Sequence, residues 1–119
     1  MECLVIRGGH RLQGDVAVKG AKNAALPIMA AMLLANGECT LRRVPRLQDV
    51  TVMAAVIRSL GLKIERVNGS LHASPAKVTS PEVPVGLMRQ LRASNLVMGP
   101  LLGRYRYFRV PYPGGCAIG

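Results

Sequence analysis

Three short runs in this 119-residue chain combine residue types that could do chemistry. The first is Lys22-Asn23, which stands between Gly20 and a long apolar run. In a helix built on that run, the first N–H groups have no partner within it. The macrodipole places about half a positive charge at the same end. A lysine at such a mouth can hold a phosphate or a carboxylate, with Asn23 adding a neutral hydrogen bond. The pair also fits a plainer role, with Asn23 as the helix cap and Lys22 in water. The second run is Arg89 and Arg92 ahead of Ala93-Ser94, where cations and free backbone donors converge at a helix entry. A solvated basic turn is its alternative. The third run is Pro113-Gly114-Gly115-Cys116. Two glycines allow a loop to move and to lay its backbone against a ligand. Arg104, Arg106 and Arg109 upstream favour the thiolate of Cys116, whereas a bound phosphate would oppose it. A thiol balanced between those effects can act as nucleophile or proton donor near neutral pH. A buried, inert thiol is the other reading.

The remaining polar residues offer less. Arg104 to Arg109 alternates basic and aromatic side chains, which on a strand could stack bases and neutralise phosphates. That gives a second functional reading, a small basic nucleic-acid-binding module. The segment has no glycine and does not fit the RNP1 pattern, and an ordinary half-buried strand explains it better. His10 and His72 lie far apart without matching carboxylates and read as structural. Cys3, Cys39 and Cys116 form no even set and no CxxC pair, which argues against a disulfide framework and against zinc. Cys3 and Cys39 read as small hydrophobes within strands. No metal or cofactor is expected.

The elements that must position these residues follow from composition and period. Apolar residues make up 50% of the chain, ample for a core and too many for a disordered chain. The length suits one domain or a piece of a larger one. Lys and Arg total 16 against 6 Asp and Glu, and the net charge of +10 favours an anionic partner. The longest apolar run, Ala24 to Ala35, has twelve residues, against the ~20 of a membrane span. No basic segment followed by an apolar one opens the chain as a secretory signal would. A reduced, soluble, cytoplasmic protein is expected.

Strands are expected at Cys3–Arg7, Gly14–Lys19, Glu38–Val44, Lys63–Val67, Ser70–Ala73 and Arg106–Val110. Asn68-Gly69 joins two of them as a hairpin. Helices are expected at Asn23–Ala35, at Val50–Leu60 between an Asp49 cap and a terminating Gly61, and at Asn95–Leu102. Ser94 would cap the last, with a bend or break at Gly99-Pro100. Pro27 falls in or just after the first turn of the first helix. That helix has no polar side chain after Asn23, so it demands protein on every side. The order β-β-α-β-α-β-β-α-β then describes helices packed inside a jacket of sheet.

Three segments, taken together, resemble one family: Gly20-Ala21-Lys22-Asn23-Ala24-Ala25-Leu26-Pro27, Leu91-Arg92-Ala93-Ser94 and Pro113-Gly114-Gly115-Cys116-Ala117-Ile118-Gly119. They look like the N-terminal part of the UDP-N-acetylglucosamine 1-carboxyvinyltransferases, the enolpyruvyl transferases that open peptidoglycan precursor synthesis. Val44-Pro45-Arg46-Leu47-Gln48-Asp49-Val50 and Leu60-Gly61 match as well, so the resemblance covers nearly the whole chain. It implies an α/β fold, a partial inside-out α/β barrel of βαβαββ units with helices enclosed by sheets. Residues 1–21 would pair with a second lobe and 22–119 would form part of the first.

The resemblance also implies roles. The pair matching Lys22 and Asn23 contacts phosphoenolpyruvate, and the arginine matching Arg92 helps to bind the UDP-sugar. The cysteine matching Cys116 gives a proton to the enolpyruvate methylene carbon and is alkylated by fosfomycin. Cys116 and Lys22 are thus the expected catalytic residues, and Lys22, Asn23 and Arg92 the expected substrate-binding ones. The implied partners are phosphoenolpyruvate, UDP-N-acetylglucosamine and the missing C-terminal portion of the same enzyme, with no nucleic acid and no membrane. Family members continue beyond the position of Gly119 into a phosphoenolpyruvate-binding arginine and the aspartate general base, so at most a trace of turnover is expected from these residues alone. The shikimate-pathway enolpyruvyl transferase shares the fold and the lysine but lacks the Asn-Ala-Ala sequence and the loop cysteine. The Arg104 to Arg109 stretch is more aromatic than the glycine-containing segment usual in the family.

Overall fold

Asn68 and Gly69 both take positive φ (47° and 80°), and the two-residue turn they make folds β2 (Ile64–Val67) onto β3 (Ser70–Ala73). The structure, a computed structural model, describes residues 2–75 and 77–111, with the backbone alone at 92–94. β1 (Cys39–Leu41) adds to the other edge of β3, giving an antiparallel sheet of order β1-β3-β2. Alternation then sorts the side chains. Ile64, Leu71 and Ala73 are buried on one face, while Thr40, His72 and Glu65 form an exposed cross-strand row on the other.

The helices cover the apolar face. α1 (Lys22–Ala31) tightens into a 3₁₀ turn at Met32–Leu34 and packs against α2 (Gln48–Ser59). α3 (Val85–Gln90), a 3₁₀ segment (Arg92–Val97) and α4 (Met98–Tyr105) follow. The core joins Met29 and Leu33 to Val50, Met53, Val56 and Ile57 of α2, with Leu71, Met88 and Leu101 completing it.

The end of α2 shows why its termination was legible. Gly61 lies just past the last turn with φ 108°, its N–H bonds to the Arg58 carbonyl, and the Leu62 N–H reaches back to Ile57. That is a Schellman closure. The Thr79 N–H then takes the Leu60 carbonyl at 2.9 Å, and the Arg58 Nε bonds to the Ile64 carbonyl at 2.9 Å. Helix end, strand start and the return segment are thereby tied together.

Several expectations are corrected. Residues 2–20 form no strand: they run past the fold with Leu4, Val5, Ile6, Leu12, Val16 and Val18 exposed, and Cys3 is exposed rather than packed. A strand exists only through its ladder, and here a single backbone bond among the described residues, from the Gly20 N–H to the Arg43 carbonyl, ties the segment to the sheet region. β1 is shorter than Glu38–Val44 because Arg43 takes φ 56° and the Val44 N–H turns to the Gly69 carbonyl. Arg106 to Val110 is likewise no strand. Arg106 ends α4 in the left-handed conformation (φ 61°), and Arg109 meets Glu82 in an isolated parallel bridge. Gly99 and Pro100 open α4 rather than break it, since a missing N–H costs least in a first turn. Ser94 falls within the 3₁₀ segment, and α3 was not foreseen. Pro27 lies beyond the first turn of α1 and forgoes the bond to the Asn23 carbonyl.

Among the described residues the first helix and its 3₁₀ extension are covered unevenly. Ala25, Leu26, Met29 and Ala30 are buried, whereas Ile28 and Leu34 remain 47% and 51% exposed.

A Cβ at Gly61 would run into Thr79 while holding a φ that side chains rarely adopt. Gly61→Ala is therefore expected to lower unfolding free energy by about 1–3 kcal/mol. Urea denaturation of the two chains measures the difference, and an unchanged midpoint would refute the closure described above.

Candidate functional site

Gly20 fixes where α1 begins. Its N–H donates to the Arg43 carbonyl at 3.2 Å, and a Cβ on Gly20 would collide with that same oxygen. The chain can pass this close only because position 20 is glycine, and Lys22 starts the helix two residues later. Ala21, extended at φ −82°, ψ 138°, occupies the cap position and supplies no side-chain acceptor. No acidic residue lies in the first turn. Asn23 therefore is not the cap; it sits within the first turn. The opening N–H groups of α1 are left as donors for something outside the helix.

Packing of α1 on α2 brings the amino ends of both helices to one corner. The Lys22 Nζ lies 2.9 Å from an Oδ of Asp49, which belongs to the first turn of α2 rather than capping it. A carboxylate there suits the α2 dipole, whereas an ammonium opposes that of α1. Both side chains keep substantial exposure, 43% and 36%, so the pair contributes no more than about 1 kcal/mol.

Around this corner opens a cleft of about 530 Å³. Lys22, Asn23 and Asp49 give it charge and hydrogen-bonding capacity, and Leu26 and Leu91, both buried, line it with apolar surface. Gln90 and Asn95 add two side-chain amides, and Leu96 completes it. Arg92 lies in the 3₁₀ segment between Leu91 and Asn95, so the stretch that carries it borders the cleft of Lys22 and Asn23. Cys116 and its glycines lie outside the described residues. Arg89 is exposed at the end of α3.

Sequence reasoning missed three cleft residues. Asp49 was read as a cap, and Gln90 and Asn95 carried no signal. The helix–strand–helix order α1–β1–α2 was the one available hint, since it lets two helices run side by side with their starts together.

The basic stretch after α4 takes other roles. The Arg104 guanidinium donates to the carbonyls of Leu33 (3.0 Å) and Ala35 (2.7 Å) and to the Asn36 side-chain oxygen (2.8 Å), closing the carboxyl end of the first helix. Its guanidinium also lies 5.5 Å from the Tyr105 ring centroid. Arg109 pairs with Glu82 at 3.3 Å. Arg104 and Arg109 thus do not share the face of one strand. His72 bonds through Nδ1 to the Thr40 hydroxyl, and His10 is exposed. Among the described residues no three His, Cys, Asp or Glu side chains are grouped to hold a metal ion, and no helix is long and apolar enough to cross a membrane.

The fold of this chain is shared with an enolpyruvyl transferase. The enolpyruvyl transferase NikO from Streptomyces tendae superposes with a TM-score of 0.69 over 82% of this chain and 23% of its own, at 21% identity. The model of the EPSP synthase (3-phosphoshikimate 1-carboxyvinyltransferase) family matches residues 6–119, and the chain belongs to that family. Relatives named UDP-N-acetylglucosamine 1-carboxyvinyltransferase include those of Trichlorobacter lovleyi, 46% identical over 119 residues, and Myxococcus xanthus, 48% identical over 122. Both alignments cover all of this chain but only 28% and 29% of the relatives, so it spans under a third of their length.

Arg104→Ala would leave two main-chain carbonyls and one amide without their donor, and a loss of about 1–3 kcal/mol is expected. Arg109→Ala, which removes a more exposed pair, is expected to change stability by less than about 0.5 kcal/mol. Thermal unfolding of both variants checks the contrast, and equal effects would contradict it.

Proposed function

We propose that this chain forms the phosphoenolpyruvate-binding corner of a transferase. That enzyme moves the enolpyruvyl group from phosphoenolpyruvate to the 3′-hydroxyl of UDP-N-acetylglucosamine and releases phosphate, a step of peptidoglycan precursor synthesis in the cytoplasm. The observation that carries the reading is the position of Lys22 and Asn23 at an uncapped helix start. They share a cleft with the residues flanking Arg92, in a chain aligned end to end with relatives of that name. The relatives' name favours the nucleotide sugar over shikimate 3-phosphate as acceptor. Residues 22–119 form part of one lobe, and residues 1–21 pair with the second.

In this reading the Lys22 ammonium and the first N–H groups of α1 hold the phosphate or carboxylate of phosphoenolpyruvate, with Asn23 adding a neutral hydrogen bond. Arg92 neutralises the UDP-sugar. The Cys116 thiol gives its proton to the methylene carbon, leaving an oxocarbenium-like centre at C2. The sugar hydroxyl attacks that carbon and loses its proton. Removal of a proton from the new methyl group and departure of phosphate then restore the enol ether. Cations are required because both substrates are polyanions.

The test is a chimera in which residues 1–119 replace the matching segment of the Trichlorobacter lovleyi relative, assayed for phosphate release. Lys22→Ala is expected to raise KM for phosphoenolpyruvate at least tenfold with a far smaller change for the sugar nucleotide, a loss of about 1.4 kcal/mol or more. Equal losses for both substrates would overturn the assignment of Lys22. Cys116→Ser is expected to abolish the fosfomycin mass adduct, and an adduct on the serine variant would overturn that of Cys116. Steeply salt-dependent binding of single-stranded RNA by the chain, with no response to UDP-N-acetylglucosamine, would favour the nucleic-acid reading instead.

A further inference from the structure

The Lys22 ammonium that would receive an anion already faces one of the protein's own. We propose that Asp49 is a built-in competitor at this corner, so that a phosphate-bearing ligand must displace its carboxylate to reach Lys22. The inference rests on the reading of Lys22 as the anion-binding residue. It adds a regulating residue to that site. Three observations carry it. The Asp49 carboxylate is 2.9 Å from the Lys22 Nζ, which is full ion-pair contact. Asp49, Lys22 and Asn23 line the same cleft, so the pair spans the space a ligand would use. The starts of α1 and α2, ten and twelve residues long, meet there, and both positive dipole ends favour one negative charge at the corner.

Exposure determines the consequence. A pair this accessible is weak and is readily exchanged for a doubly charged phosphate that also takes the helix N–H groups. Were the pair buried, the carboxylate would block the site. Being half in water, it only weakens the site, and any incoming anion meets the same cost of parting the pair. Asp49 would therefore act as an attenuator of anion affinity at this corner.

The experiment titrates inorganic phosphate and acetate into the chain and into Asp49→Asn, Asp49→Glu and Lys22→Gln, following the amide resonances of Lys22 and Asn23. Asp49→Asn removes one negative charge beside the ligand in a largely aqueous setting. Phosphate is expected to bind that variant about three- to ten-fold more tightly, with a gain for acetate that is no larger. Asp49→Glu is expected to stay near the parent value, and Lys22→Gln to lose the site. A gain in affinity cannot arise from partial unfolding, so the sign of the change separates competition from a structural role. Unchanged or weaker phosphate binding by Asp49→Asn, or binding by neither it nor the parent, would overturn the proposal while Lys22→Gln reports separately on the site. Equal binding by Lys22→Gln and the parent would remove the anion-site reading and this inference with it.

Discussion

The apolar seam between α1 and α2 is the constraint on which the rest depends. Met29 and Leu33 on one side and Met53 and Ile57 on the other are fully buried. Each such side chain contributes roughly 1.5–3 kcal/mol of transfer free energy. The ion pair at the head of the two helices contributes at most about 1 kcal/mol. The seam therefore sets the register of the helices, and the meeting of Lys22 with Asp49 follows from it. A charged corner held by a core several times stronger than itself can exchange its partners without disturbing the fold, as a binding site must.

The fate of the arginines shows how loosely net charge maps to a binding surface. Arg58 and Arg66 turn their guanidinium groups to main-chain carbonyls, of Ile64 for the first and of Val44 and Pro45 for the second, and Arg104 closes the first helix. Arg109 meets Glu82. These cations stitch loops and helix ends together because a planar fork of five donors satisfies several acceptors at once. The charge of +10 is a property of the composition, and part of it is spent on architecture rather than on a ligand.

What could be read in advance was what the chain decides locally. Asn68-Gly69 sets its own turn, Gly61 its own helix end, and the apolar run after Lys22 its own helix. That residues 3–7, 14–19 and 106–110 form no strand could not be read, because a strand is a relation between two segments and alternation says nothing of whether a partner is in reach. The short α3 hid behind Pro84 and Gly86, which signal a loop, although Met88 anchors it fully buried. The site divides in the same way. Lys22 and Asn23 stood out through the helix behind them, whereas Asp49 and Asn95 became site residues only by approaching from distant segments.

One lysine beside a carboxylate is too little positive charge to run a reaction between two anions. On the proposed reading, phosphoenolpyruvate and a diphosphate sugar must approach within bonding distance. Two unit charges about 6 Å apart repel by about 0.7 kcal/mol in water and by about 2.8 kcal/mol at an effective dielectric near 20. Several such pairs would act at once, and Lys22, half neutralised by Asp49, cannot offset them. On the same reading, the remaining positive charge would have to come from other basic residues, among them the proposed Arg92 and residues brought over the cleft's open side. Ile28 of that same first helix and Leu34 of the 3₁₀ turn after it are exposed. On that reading the corner would serve as a docking point whose chemistry depends on further groups approaching its open side.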